Sequence, residues 1–411
     1  MALRRVVITG MGAVSPFGKG VDILMESMIK GQSGVTGLPE LAEVGGLRSR
    51  VAALVNGIDP KVIPRKYRRS MSKMSIYATL ACQDALQQAC VSEKYITGGQ
   101  LGVSIGSTLG STNITQSFFE DFFTDHSLER MKSTVFFKIM GHSCAANVSQ
   151  ALGITGRILA PSSACSTGSQ AVGYGFETIA FGKQDFMLCG GADEYHPLTT
   201  ATFDIINAAS INYNDDPNRT PRPFDRDRDG LVCSEGCGIL LLESMKSAQK
   251  RDATILAEII GFATTSDPSS IANPNAAAIE TCMMKALKDA NVRREEIDYI
   301  NAHATATIQG DIAESQAIFK LFGSHVPVSS LKGHLGHTMA ASGALELVAT
   351  ISMMNRGCII PTLNLDNVDQ SCEKIGHVQG IEKSHIKTVI KNNFALGCVN
   401  SSIVLRRYEY D

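Results

Sequence analysis

A cysteine among small residues is the first candidate for chemistry in this sequence. Cys165 lies in Pro161-Ser-Ser-Ala-Cys-Ser-Thr-Gly168, between a short apolar stretch at 158–160 and a helical pattern over 171–180. At a helix N-terminus, unpaired N–H groups and the positive end of the macrodipole favour a thiolate over a thiol. A lone cysteine is more often a small buried hydrophobe. The nucleophile hypothesis therefore depends on partners elsewhere in the chain.

Two histidine segments supply such partners. His303 lies in Asn301-Ala-His-Ala-Thr-Ala-Thr307, and His337 ends the run Lys332-Gly-His-Leu-Gly-His337. Both follow apolar stretches and are surrounded by Gly, Ala, Ser and Thr, which allow close approach of a substrate. Either histidine alone is typical of an ordinary core or surface residue. Together with Cys165 they fit an activated nucleophile with imidazole partners.

The elements that must position these residues repeat along the chain. Strand, turn and helix occur in that order twice, and each candidate residue follows the C-terminal end of an apolar strand. Open α/β sheets place their sites at that edge. The predicted strands cover 5–10, 101–106, 185–194, 236–243, 256–261, 297–303, 387–394 and 401–406, and the main predicted helices of the second half cover 276–290 and 338–353. An internal duplication of one α/β unit is the expected architecture.

Composition narrows the function classes. A formal net charge of -2 argues against a nucleic-acid partner. The eleven cysteines contain no CxxC pair, so neither a zinc site nor a disulfide framework is predicted. The glycines near residues 10–18 do not form a dinucleotide-binding motif. Neither a signal peptide nor a membrane-length apolar segment is found, so we expect a cytoplasmic protein with no membrane partner.

Two further segments carry open interpretations. Residues 118–140 are rich in Phe and Met, which indicates core, a subunit interface or the lining of an apolar tunnel. The loop 212–230 alternates Asp and Arg and is interpreted as a salt-bridged surface.

These motifs resemble those of the β-ketoacyl-acyl-carrier-protein synthases, condensing enzymes of the thiolase superfamily. The resemblance rests on Ser-Ala-Cys165, His-x-Thr-x-Thr from His303 to Thr307, Lys332 and Gly-His337, and it covers essentially the whole chain. It implies a duplicated, five-layer αβαβα sandwich of the α/β class. The implied halves are 1–250, carrying the nucleophilic cysteine, and 251–411, carrying both histidines.

The resemblance also implies a reaction and roles in it. Cys165 would take an acyl chain from the phosphopantetheine arm of a carrier protein, and malonyl-carrier protein would lose carbon dioxide. The enolate would then attack the acyl-cysteine and give a β-ketoacyl chain two carbons longer, without a metal or cofactor. His303 and His337 would donate hydrogen bonds to the enolate oxygen. Lys332, with Glu314 as its ion partner, would orient the histidines. Thr305 and Thr307 would bind the pantetheine. The backbone N–H groups of Cys165 and Leu396 would form an oxyanion hole.

Pocket, docking and assembly residues follow from the same resemblance. Leu109 falls at the floor of the family's acyl pocket, and Phe203 is expected in its wall. Arg65, Lys66 and Arg69 match basic positions that dock an acidic carrier protein. A homodimer is expected, and a heterodimer stays open. The loop Ala395-Leu-Gly-Cys-Val-Asn400 departs from the family's Gly-Phe-Gly-Gly-Thr-Asn and puts Leu396 in place of the gating Phe; this departure leaves open whether the chain elongates fatty acids or builds a specialised polyene or polyketide.

Two rival functions remain. A coenzyme A-dependent thiolase would share the Gly336-His337 motif and would use Cys398 as its second cysteine, but it would not need His303 or Lys332. A chain-length-factor-like subunit would shape a partner's tunnel without catalysis, although such subunits typically lose the nucleophile.

Overall fold

A large mixed sheet forms the framework of the molecule. The computed structural model describes residues 3–410. Twelve strands share one sheet in the order β13-β11-β10-β15-β16-β9-β1-β8-β7-β5-β6, with β2 paired to β1. The strands are β1 Val6–Ser15, β2 Gly18–Lys19, β3 Thr36–Gly37, β4 Val51–Ala52, β5 Leu101–Gly106, β6 Ile158–Leu159, β7 Phe186–Asp193, β8 Gly236–Ser244, β9 Ala257–Ser266, β10 Tyr299–Asn301, β11 Pro327–Ser329, β12 Cys358–Ile359, β13 Gly376–His377, β14 Glu382–Lys383, β15 Thr388–Ala395 and β16 Val399–Arg406.

Helices cover both outer surfaces of this framework and fill its centre. They are α1 Val21–Ile29, α2 Arg65–Arg68, α3 Lys73–Gln88, α4 Glu93–Thr97, α5 Thr112–Asp125, α6 Phe136–Ile139, α7 Ser143–Leu152, α8 Thr167–Ala180, α9 Pro197–Ile205, α10 Met245–Lys250, α11 Ala276–Ala290, α12 Ile308–Phe322, α13 Lys332–Leu335 and α14 Ser342–Arg356. None of the helices within 3–410 is long and apolar enough to cross a bilayer.

The layers follow from which faces are apolar. α8 and α14 lie between the N-terminal strands (β5, β7, β8, β1) and the C-terminal strands (β9, β16, β15). Every residue of α14 from Ser342 to Met354 is buried, as expected of a helix covered on all sides. α3 and α7 cover the outer face of the first set of strands, and α11 and α12 lie on the C-terminal side. The predicted five-layer αβαβα sandwich is confirmed.

The two halves meet along antiparallel strands. β1 pairs with β9 through Val6, Val7 and Ile8, and the central core combines side chains from both halves. Because α8 and α14 pack against each other in this core, the segments that precede them are brought together at one end of the sandwich. Cys165 precedes α8, and His337 precedes α14.

The Asp/Arg loop 212–230, interpreted from the sequence as a surface, is partly buried. Arg222, Asp225 and Arg228 are buried, with relative exposures of 2%, 0% and 5%. Arg222 pairs with Asp225 and with Asp366, and Arg228 pairs with Asp369 in the second half. The loop is salt-bridged as predicted, and Arg219, Arg226 and Asp227 are exposed, but the buried Arg222 and Arg228 connect it to a segment of the second half. Sequence alternation alone does not reveal a partner that lies more than 140 residues away.

Candidate active site

Cys165 lies at the start of the central helix α8. It is in a short 3-10 turn, Ala164–Ser166, that runs directly into α8, and Ala164 has a left-handed backbone with φ 47°. The side chain is buried, and its Sγ lies 2.9 Å from Nε2 of His337. Burial raises the pKa of the Cys165 thiol to about 12, against the smaller opposing effect of the Lys332 ammonium. The predicted helix N-terminus is present, but the resting group is a thiol, not the expected thiolate, because loss of solvation outweighs the nearby positive charges.

His337 is held in place by the other half of the molecule. Its backbone N–H donates to Val232 O at 2.7 Å, and its carbonyl accepts from the N–H of Ser234 at 3.0 Å. Gly336, with φ 67° and with Ser234 and Ala53 close to its missing side chain, makes the turn before it. Burial, followed by the Lys332 charge, lowers the pKa of His337 to about 3. The imidazole is therefore neutral at physiological pH and can accept the thiol proton.

His303 follows strand β10. The carboxylate of Glu314 accepts the backbone N–H groups of His303 and Ala304 at 2.9 and 2.7 Å. The rings of His303 and His337 are 5.4 Å apart between centroids at 80°. Burial, followed by the charge of Lys332, lowers the pKa of His303 well below its usual value. Both histidines are thus neutral imidazoles.

The three residues form one compact cluster. One ligand-type atom from each of Cys165, His303 and His337 lies within 4.8 Å of the other two. Thiolate sulfur and imidazole nitrogen are ligand types that Zn²⁺ accepts, and within 3–410 this cluster is the one with the geometry for it. The same atoms also suit nucleophilic catalysis. The expectation of a metal-free site stays a prediction.

Lys332 has a different ion partner from the predicted one. Its Nζ lies 2.6 Å from Oε1 of Glu346, whereas Glu314 binds the backbone at His303 and forms no ion pair with Lys332 within 4 Å. The other oxygen of Glu346 lies 2.6 Å from Nζ of Lys391. Burial alone would raise the pKa of Glu346, but the two ammonium groups hold it below its ordinary value. Glu314 lies 18 residues before Lys332, and Glu346 lies 14 residues after it. Because both carboxylates lie near the site, their positions in the sequence do not show which of them pairs with Lys332.

Sequence reasoning missed Glu346, Lys391 and Asn393, all of which belong to the histidine surroundings. Lys391 and Asn393 are buried in β15 at 0% exposure, and Asn393 Nδ2 lies 3.3 Å from His303 Nδ1. A signal was present: Lys-Asn-Asn interrupts an otherwise apolar strand between Ile390 and Phe394. Polar side chains buried in a strand need polar partners.

A cavity of about 420 Å³ opens onto the cluster. The predicted Thr305, Thr307, Leu396 and Phe203 line it together with Cys165, His303 and His337. The hydroxyl groups of Thr305 and Thr307 lie 3.0 Å apart. Apolar side chains that also contribute are Ile206, Leu231, Ile271, Ile279, Ile308 and Phe394. The cavity combines polar groups near Thr305 with an apolar wall, as a pantetheine arm and an acyl chain require.

Leu109 does not line this cavity. It is 74% exposed, because the backbone N–H and the hydroxyl of Thr108 both bind Asp193 and leave the next side chain directed outward. The prediction that Leu109 forms the pocket floor is therefore wrong for the single chain.

The predicted docking residues lie at the surface. Arg65, Lys66 and Arg69 are exposed on and just after α2, and none of them forms an ion pair within the described residues. Lys66 Nζ lies 4.6 Å from the Tyr67 ring centroid. These charges are available to a partner.

Comparison with known proteins agrees with this geometry. Residues 3–248 match the model described as beta-ketoacyl synthase, N-terminal domain, and residues 256–366 match its C-terminal domain. The 3-oxoacyl-[acyl-carrier-protein] synthase 1 of Haemophilus influenzae is 32% identical over 99% of this chain and 100% of its own length, and that of Escherichia coli is 33% identical over 98% and 99%. A beta-ketoacyl synthase crystal structure from Burkholderia phymatum is 42% identical, with a TM-score of 0.96 and coverage of 99% and 100%.

A further solved structure shows a ketosynthase with a partner. It is a type II polyketide synthase acyl-carrier protein in complex with its ketosynthase. The match is 29% identical and covers 99% of this chain and 100% of that one, with a TM-score of 0.89. The resemblance inferred from the motifs is thereby confirmed. With the cysteine and both imidazoles in one cavity and both family domains matched in order, the chain belongs to the β-ketoacyl synthase family of condensing acyltransferases.

Proposed function

We propose that the protein catalyses decarboxylative condensation of an acyl chain with malonyl-acyl-carrier protein in fatty-acid or polyketide elongation. One observation carries the proposal: a buried thiol in contact with one neutral imidazole and close to a second, at the end of an apolar cavity. A single imidazole would suffice to activate a nucleophile. The second imidazole is useful in a reaction where negative charge develops on a substrate oxygen, because it can donate a hydrogen bond to that oxygen.

In the first step the thiol attacks the thioester of the incoming acyl chain. The proton of Cys165 passes to His337 Nε2 at 2.9 Å, the sulfur bonds to the acyl carbon, and the pantetheine thiol leaves with a proton. Backbone N–H groups of Cys165 and Leu396 serve as the oxyanion hole. Thr305 and Thr307 bind the pantetheine arm along the cavity.

In the second step malonyl-carrier protein occupies the same cavity. Its terminal carboxyl carbon leaves as carbon dioxide, and the electron pair passes into an enolate whose oxygen accepts hydrogen bonds from His303 and His337. His337 can donate at this stage because, once Cys165 is acylated, no thiol donates to its Nε2 and the neutral ring carries its proton there. The enolate carbon then attacks the acyl-cysteine, the carbon–sulfur bond breaks, and the released Cys165 thiolate takes up a proton from solvent. Lys332, paired with Glu346, contributes positive charge close to both imidazoles without touching the substrate.

The test is product analysis with a panel of acyl-carrier proteins and malonyl-carrier protein. Carbon dioxide release together with a β-ketoacyl product two carbons longer supports the proposal. Cys165→Ala should lose condensation, while Cys90→Ala, an exposed cysteine elsewhere, serves as the matched control. Normal condensation by Cys165→Ala would refute the assignment. Coenzyme A-dependent condensation without carbon dioxide release would indicate a thiolase instead.

The carrier protein would dock on Arg65, Lys66 and Arg69. These exposed charges complement an acidic partner, which raises the association rate more than the final affinity. Charge reversal at Lys66 should raise the KM for the carrier protein, with a smaller effect at high salt. The same change should leave self-acylation by a short soluble thioester unaffected, because that substrate needs no docking surface.

A second copy of the chain is the proposed dimer partner. An apolar patch on α5, α6 and the nearby loop carries Leu109, Phe119, Phe123, Phe136 and Phe137, each at least 49% exposed. Strand β6 forms an open edge of the large sheet, and its Ile158 is 48% exposed. Large apolar patches and open edges mark association surfaces. Light scattering should give twice the mass of 44.0 kDa, and Phe123→Asp should shift the species toward one chain; a wild-type monomer would refute the dimer.

A further inference from the structure

A hydrogen-bonded chain of buried polar groups leads from the Lys391 ammonium to the His303 ring. Lys391 and Asn393 are two residues apart in β15, so their side chains leave the same face of the strand. Nζ of Lys391 lies 3.0 Å from Oδ1 of Asn393, and Nδ2 of Asn393 lies 3.3 Å from Nδ1 of His303. All three side chains are buried. Within such a chain each donor and acceptor assignment constrains the next.

The orientation of the Asn393 amide is fixed at its oxygen. Oδ1 accepts from the Lys391 ammonium and also lies 2.6 Å from the hydroxyl of Ser169. An ammonium can only donate, so the amide oxygen must face it and the amide nitrogen must face His303. Glu346 holds Lys391 from the other side, with Oε2 at 2.6 Å from Nζ. A flipped amide would place an NH₂ group against a buried cation.

The consequence at His303 concerns its tautomer. An amide NH₂ can only donate, so Nδ1 of His303 must accept and carry no proton. A neutral imidazole then carries its proton on Nε2, the nitrogen left for the cavity that His303 lines.

We propose that Lys391 and Asn393 are positioning residues that hold His303 in the Nε2–H tautomer, ready to donate to the enolate oxygen. The inference rests on the proposed function for the use of that donor, but the tautomer itself is a property of the free protein. Neither side chain touches substrate. Their effect passes through His303.

The decisive variant is Asn393→Asp. The carboxylate has nearly the same shape and still accepts from Lys391 and Ser169, but it cannot donate to His303 Nδ1. The ring proton should therefore move to Nδ1 and leave Nε2 as an acceptor. Nitrogen-15 NMR of histidine-labelled, ligand-free protein should show Nε2 of His303 protonated in the wild type and unprotonated in the variant at pH 7, with the resonance assigned by its loss in His303→Asn.

Kinetics should report the same change. At pH 7 decarboxylation of malonyl-carrier protein should fall about 100-fold in Asn393→Asp, the loss expected for one donor to a developing oxyanion. The loss should fall on decarboxylation more than on acylation of Cys165. It should diminish as the pH is lowered, because a second proton on His303 restores the Nε2 donor. A purely structural defect would lower both half-reactions at every pH.

Asn392→Asp is the matched control. Asn392 is equally buried in the same strand, but its side chain binds Ser402 on the opposite face, so a carboxylate there tests burial of charge without altering His303. Lys391→Met, which removes the group that fixes the amide, should give a mixture of both tautomers and a smaller loss.

The outcomes separate the two proposals. If wild-type protein releases no carbon dioxide, the proposed function fails, whatever the NMR shows. If wild-type protein is active and Asn393→Asp keeps a protonated Nε2 at pH 7 or matches the wild-type decarboxylation rate, the positioning role is refuted.

Discussion

The buried charge cluster of Lys332, Glu346 and Lys391 allows a prediction about stability. Both ammonium groups lie 2.6 Å from an oxygen of the same carboxylate, and all three side chains are at most 3% exposed. Removing either lysine leaves Glu346 paired with the other. Removing the charge of Glu346 leaves two buried cations facing each other. The carboxylate should therefore matter more than either lysine.

The magnitudes follow from the partners that remain. Lys332→Met removes one hydrogen bond to a charged group, worth about 1.5–3 kcal/mol of unfolding free energy. Lys391→Met removes the ion pair with Glu346 and also the hydrogen bonds to Asn392 O and Asn393 Oδ1, so it should cost more than Lys332→Met. Within residues 3–410, Glu346 is the one carboxylate that forms an ion pair with either lysine. Glu346→Gln removes this anion and should cost about 3–5 kcal/mol or more, as for an uncompensated buried charge. We expect Glu346→Gln to be less stable than Lys332→Met by about 2 kcal/mol, the difference between those ranges.

Guanidinium unfolding followed by far-UV circular dichroism measures these differences, since the chain contains no tryptophan to report by fluorescence. The Glu346→Gln, Lys391→Met double variant provides the control. It removes one of the two stranded cations and should be more stable than Glu346→Gln alone. Equal midpoints for Glu346→Gln and the lysine variants, or further destabilisation by the second change, would refute the reasoning that repulsion between the lysines dominates.

Three further results are expected. Alkylation of Cys165 by iodoacetamide should accelerate with pH from 6 to 10 without a plateau, because burial raises its pKa to about 12; peptide mass spectrometry with exposed Cys90 as reagent control measures this, and a plateau near pH 7 would contradict it. Burial lowers the pKa of Lys391 to about 8 from 10.5, so between these values the unfolded chain binds a proton that the folded chain has released. The unfolding free energy of the wild type should thus rise relative to that of Lys391→Met as pH increases through this window. If the wild type instead loses stability relative to Lys391→Met over this range, the pKa of Lys391 is not lowered by folding. Phe203→Ala enlarges the cavity and should shift products toward longer acyl chains by mass spectrometry; an unchanged product distribution would exclude Phe203 from the acyl wall, and Phe123→Ala, outside the cavity, is the control.

Local patterns identified the reactive residue types and most of the elements that carry them. The helix expected over 276–290 is observed as Ala276–Ala290, and most of the predicted strands appear within two residues of their predicted limits. The strands predicted over 5–10 and 256–261 continue five residues further, to Ser15 and Ser266. Hydrophobic periodicity indicates which face of a helix or strand is buried. It depends only on residues within one segment, so these elements could be predicted without knowing what they pack against. The motifs around Cys165, His303 and His337 likewise identified the family before any contact was known.

Contacts between distant segments could not be predicted in this way. Leu109 was expected at the pocket floor, but the bond between Thr108 and Asp193 directs it to the surface. Similarly, several charges in the 212–230 loop are buried by partners far along the chain.

The sequence by itself determined the chemistry available to this protein: a thiol, two imidazoles and a lysine, each placed after an apolar strand. The tertiary structure decided the protonation states and the partners, because these depend on burial and on charges brought in from other segments. Burial keeps Cys165 a thiol and the imidazoles neutral, and the packing of α14 against β15 brings Glu346 to Lys391. Solvation and long-range electrostatic interactions depend on the folded structure, so they cannot be predicted from the order of the residues alone.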